Sequence, residues 1–136
     1  MVIETSAMLA ILQAEPEAPS FAEAIERDPV RLVSAASVLE ASIVIVARHG
    51  DAGARELDLF LLKAQADIVP VTAEHAALGR DAYIRFGKGR HPAGLNFGDC
   101  FAYALARASG EPLLFKGEDF SRTDAATVEL LSLIHI

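Results

Sequence analysis

The 136 residues carry 19 acidic and 12 basic side chains, a net charge of −7, and 52% of them are hydrophobic. That balance suits one domain with a sizeable core and excludes an intrinsically disordered chain, while no apolar run reaches membrane-spanning length. A single cysteine, Cys100, excludes an internal disulfide, and the acid excess argues against a broadly basic nucleic-acid surface.

In chain order, Val2–Ile3 reads as a very short strand, followed by a helix with apolar positions at Met8, Leu9, Ile11 and Leu12. "AEPEAPS" breaks that helix with Pro16 and Pro19, and Ser20 then caps a short helix through Ile25. A second strand is expected over about Arg31 to Ser34. From Ser37 a helix runs to Gly50 as its C′ residue, and another, about Ala52 to Gln65, puts Leu57, Phe60, Leu61 and Ala64 on one face. "DIVPV" is a third strand, and Thr72 caps a helix reaching about Phe86. The loop "GKGRHPAGL" precedes a helix from Asn96 to about Ser109. "EPLLFKG" supplies a fourth strand and "TVELLSLI" a short fifth, while the closing "LLSLIHI" reads as an edge strand or a non-native extension. Strands alternating with helices predict a single α/β domain over residues 1–136, with a parallel sheet of four to five strands covered on both faces. The first residues lack the pattern of a secretory signal, so a cytoplasmic protein is expected. Cys100, inside "GDCFAYALA", reads as a buried small hydrophobe.

In an open parallel sheet, ligands bind beyond the carboxyl ends of the strands. Glu4 follows the first strand there, Glu40 the second, and Glu118 and Asp119 the fourth; Asp99 opens the helix before the fourth strand. Ser37 with Glu40, and Asn96 with Asp99, also have the spacing of capping boxes. Capping alone does not explain the apolar flanks, "SVLEASIVIV" and "LNFGDCFAYALA". Carboxylates held close together raise one another's pKa unless a cation neutralises them. Oxygen ligands without His or Cys favour a hard ion, Mg²⁺ or Mn²⁺, suited to in-line phosphoryl displacement. His75 and His135 have no partners at metal-ligand spacing, and His49 follows Arg48 near a helix C-terminus, where a cation is favoured anyway. A phosphoacceptor receiver domain shares the acidic rim, but "DIVPVTAEH" offers no Asp after the third strand.

The stretches "MVIETSAMLAIL", "SAASVLEASIVI", "LNFGDCFAYALA" and "EPLLFKGEDFSRTD", in this order, resemble the PIN-domain nucleases, and in particular VapC-type toxins of bacterial toxin–antitoxin pairs. The resemblance implies a three-layer α/β/α sandwich on a central parallel sheet and a metal-dependent endoribonuclease acting on RNA of the tRNA or rRNA class. It also implies a homodimer restrained by a small antitoxin. Carried over by position, the acidic quartet falls on Glu4, Glu40, Asp99 and Asp119, with Ser6 and Asn96 as supporting residues. One departure stands out: the family's first acid is typically Asp. The extra methylene of Glu4 moves its carboxylate by more than about 1 Å, where catalytic geometry tolerates roughly 0.5 Å. The alternative to an active nuclease is therefore a weakened PIN-like module that binds antitoxin or RNA without efficient cleavage.

Local charge qualifies the net acidity. "RDAYIRFGKGRHPAGLN" places Arg80, Arg85, Lys88, Arg90 and His91 against one acid, Asp81, just before the Asn96–Asp99 turn. Arg85, Lys88, Arg90 and His91 are the expected RNA contacts, giving backbone affinity without sequence information.

Overall fold

The computed structural model describes residues 1–130. Its sheet has four parallel strands, β1 (Val2–Ile3), β2 (Leu32–Ser34), β3 (Asp67–Val69) and β4 (Leu113–Leu114), in the order β3-β2-β1-β4. Val2 pairs with both Leu32 and Leu113, and Ser34 with Val69, which sets the carboxyl ends of the strands along one rim. The expected fifth strand is not formed over 127–130, where Thr127 makes only an isolated bridge to Leu113. The rest of that segment, and His135, lie outside the described residues.

The two faces of the sheet separate by strict alternation, as pleated strands require. Ile3, Val33 and Leu114 pack with α1 (Thr5–Leu12), α2 (Ala18–Arg27) and α3 (Ala35–Lys63). Val2, Leu32 and Leu113 pack against α4 (Ala73–Phe86) and α5 (Phe97–Ser109) on the other side, with Tyr103 and Phe120. This is the expected α/β/α sandwich, here with four strands. Cys100 is buried, as expected. Among the described residues no helix is long and apolar enough to cross a membrane.

Two helix starts differ from the sequence expectation. The helix α2 starts at Ala18 rather than after Ser20, because Pro19 sits in its first turn, where a missing N–H costs nothing. The helix α3 is capped by Ser34, not Ser37: Ser34 Oγ accepts from the Ala36 N–H, and Ser37 is buried inside the helix with its hydroxyl unpartnered. Gly50 ends the first helical run as expected: it takes φ 61° and ψ −150°, a conformation open to glycine, and α3 is two helices that meet at this kink, the second running to Lys63.

Candidate active site

Glu4 is the residue that leaves β1 and caps α1. Its Oε2 accepts from the Ser6 N–H at 2.7 Å and from the Ser6 hydroxyl, and the side chain is only 4% exposed. Ser6 Oγ in turn accepts from the Lys116 N–H at 2.8 Å, joining the β1 rim to the segment that leaves β4. Burial pushes the Glu4 carboxyl up to about 7, against the opposing hydrogen bonds from Ser6 and with added repulsion from Asp99 and Glu40.

Glu40 projects from the second turn of α3. It does not take part in the capping box expected with Ser37. Instead its Oε1 accepts from Thr5 Oγ1 at 2.6 Å, and its carboxylate lies against Gly98 at the start of α5. The Asn96 and Asp99 box is formed as expected: Asn96 Oδ1 accepts from the Asp99 N–H at 2.9 Å, and Asp99 Oδ2 from the Asn96 N–H at 3.0 Å. That geometry fixes Asp99 at the rim. Burial raises the Asp99 carboxyl to about 6, opposed by the Asn96 hydrogen bond and reinforced by the charges of Asp119 and Glu40. Asp119 follows the left-handed Gly117 (φ 98°) and precedes the buried Phe120, which anchors a short turn over Phe120–Arg122 and leaves Asp119 exposed.

The four expected acids therefore share one electrostatic neighbourhood. Among the described residues none of them forms an ion pair with a basic side chain. No three of the described Asp, Glu, His or Cys side chains converge tightly enough to cage an ion alone. Mutually repelling carboxylates with only oxygen donors fit a hard divalent cation.

The basic loop divides. Lys88 and Arg90 are exposed, and Gly89 and Gly94 carry the chain through left-handed turns around them. His91 is held inward: its Nδ1 accepts from the Ala93 N–H at 3.0 Å and its ring packs edge-on against Phe86. Arg85 is committed elsewhere, donating to Asp124 at 3.0 Å and approaching Asp81 at 3.4 Å.

Three features were not read from the sequence. Thr5 was passed over beside Ser6, and Gly98 beside Asp99, although a hydroxyl after the first acid and a glycine in a first helical turn were the available signals. The third, a clamp of Asp124 with Tyr103, Arg85 and Arg107, joins residues distant in sequence and left no local signal.

Comparison with known proteins places the fold. The PIN-domain family model matches residues 1–126. Ribonuclease VapC30 of Mycobacterium tuberculosis is 58% identical over 130 residues, covering 96% of this chain and 99% of the relative. Among solved structures, M. tuberculosis VapC20, described as a Sarcin-Ricin loop cleaving toxin, superposes with TM-score 0.77 at 19% identity, covering 93% of this chain and 97% of that one. VapBC2 from Rickettsia felis, bound to a promoter DNA fragment, gives TM-score 0.75 at 14% identity, with 94% and 96% covered. At those identities the structures support the fold.

Proposed function

The chain belongs to the PIN-domain family, and on that premise we propose that it is a divalent-metal-dependent endoribonuclease of the VapC toxin type. The observation that carries the proposal is the rim itself: Glu4, Glu40 and Asp99, with Asp119 beside them, form a buried-to-exposed acidic set without a basic partner among the described residues. The name of the 58% identical relative supports RNA as the substrate.

Glu4, Glu40, Asp99 and Asp119 would hold Mg²⁺ or Mn²⁺. When bound, such an ion supplies positive charge to the phosphodiester oxygens and Lewis acidity toward water. The chain's own residues do the rest. Asn96 holds Asp99 and Ser6 holds Glu4 in fixed orientations, so little reorganisation is needed when the phosphate arrives. The exposed Lys88 and Arg90 guide the RNA backbone past the rim, while Arg85 and His91 stay with their own partners. Single-stranded or looped RNA of the tRNA or rRNA class is the substrate we favour, since its backbone is accessible. The partners we assign are a small antitoxin and a second copy of the chain. We place the second copy on the apolar face where Phe97 is 80% exposed beside Leu39 and Ile43.

The test is cleavage of looped and single-stranded RNA by the purified chain with Mg²⁺, Mn²⁺ or chelator. Cleavage that needs the metal and disappears in Asp99→Asn is expected; metal-independent cleavage, or cleavage untouched by that substitution, contradicts the assignment. One observation favours the second reading, a weakened module: both Ser6 donors engage Glu4 Oε2, which leaves Oε1 as the oxygen this longer side chain offers a metal. Saturable Mn²⁺ binding without cleavage would select that reading.

A further inference from the structure

We propose that Thr5 and Gly98 are positioning residues that seat the Glu40 carboxylate in one orientation beside Asp99, a role that rests on the divalent-metal reading above. Glu40 has three free side-chain torsions and is only half-buried, so nothing intrinsic to it selects a single rotamer. Two contacts do. On one side the buried Thr5 hydroxyl, 6% exposed, donates to Oε1 at 2.6 Å, a short charge-assisted hydrogen bond. On the other side the carboxylate occupies the volume that a side chain at position 98 would need. A Cβ built on Gly98 would overlap the Glu40 Oε2 and stand 2.5 Å from Cδ and 2.6 Å from Oε1.

Backbone conformation does not require this glycine. Gly50, Gly89, Gly94, Gly110 and Gly117 have positive φ, and Gly98 does not. Within a helix, glycine is less favourable than alanine. What the missing side chain provides is space for Glu40 against the first turn of α5, where backbone N–H groups are unpaired along the helix and the dipole favours a negative charge. Because Gly98 immediately precedes Asp99, the same seat brings the two acids side by side. Thr5 lies next to Glu4, so the clamp also ties the first acid's helix to the second acid.

The experiment is Mn²⁺ binding to the RNA-free protein, followed by calorimetry, with helix content checked by circular dichroism. Thr5→Val and Gly98→Ala should each weaken binding by about tenfold, the loss usual when a residue supporting a metal ligand is removed. Thr5→Ser, which keeps the hydroxyl, should stay within about twofold of the wild type. In a Glu40→Gln background, Thr5→Val should add less than about a twofold further loss, because the residue acts through Glu40. If Gly98→Ala does not fold, the Thr5 pair decides the matter. Wild-type affinity in Thr5→Val, with loss in Asp99→Asn, overturns the positioning role. Wild-type affinity in Asp99→Asn overturns the metal reading and the positioning role with it.

Discussion

Asp99 and Asp124 are the same side chain in opposite surroundings. Asp99 opens α5 among other carboxylates, and burial with like charge raises its pKa to about 6. Asp124 lies beyond β4, just after the short turn over Phe120–Arg122. There, despite some desolvation, hydrogen bonds from Tyr103 (2.6 Å) and Arg85 (3.0 Å), with the charges of Arg85 and Arg107, hold its carboxyl below the ordinary range. The clamp is satisfied: it ties α4, α5 and the segment after Asp119 together and asks for no ligand. The rim is unsatisfied, since its buried acids meet one another and hydroxyl or amide donors. An ionised carboxylate buried among like charges lowers stability unless a cation offsets it, and this contrast separates the two roles.

The largest expected effect breaks the rim. Asp99→Asn removes a charge from its centre while keeping the Asn96 box acceptor, and metal-dependent RNA cleavage should fall by about 100-fold or more, as loss of metal-ion catalysis implies. Glu4→Asp tests the departure from the family pattern. Retracting the carboxylate by one methylene should raise cleavage by about tenfold, within the cost of a ~1 Å misplacement; a large loss would show a site built around Glu.

Much of the rim was legible because its elements are local. Val2–Ile3 and Leu113–Leu114 declared themselves as short apolar runs, and each delivers an acid within a few residues. The Asn96 and Asp99 box was visible for the same reason. Ser37 misled because a serine three residues before a glutamate has the spacing of a cap, whereas the chain turns helical at Ala35 and carries Ser37 into the core. The Thr5 bond to Glu40 and the Arg85 bond to Asp124 cross between elements, and no periodicity encodes them. Gly98 was visible as a residue, but the reason for it became clear only when Glu40 was seen in its side-chain volume.

The pH dependence of stability sharpens the comparison further. Glu4 and Asp99 have folded pKa values above their ordinary 4.5 and 3.8, so the folded state holds protons that the unfolded state has lost. Their contribution is present below those ordinary values and is lost as pH rises through about 6 and 7. The metal-free protein should therefore melt at a progressively lower temperature over that range, and Asp99→Asn should flatten the decline; an unchanged slope in the variant would contradict it. Asp124 has the opposite sign, its contribution present above its ordinary pKa and lost on acidification. The smallest effect is expected at the clamp. Asp124→Ala should cost about 1 kcal/mol, since its side chain is 40% exposed and surface pairs contribute little. Mn²⁺ affinity should stay within about twofold; a tenfold loss of affinity there would erase the distinction between the two regions.

The most direct measurement is the melting temperature at pH 8 with and without Mg²⁺ or Mn²⁺, for the wild type, Asp99→Asn and Asp124→Ala. The account predicts that the cation stabilises the wild type and Asp124→Ala alike and leaves Asp99→Asn unmoved. An equal cation-induced rise in all three would show that the rim is not where the metal binds.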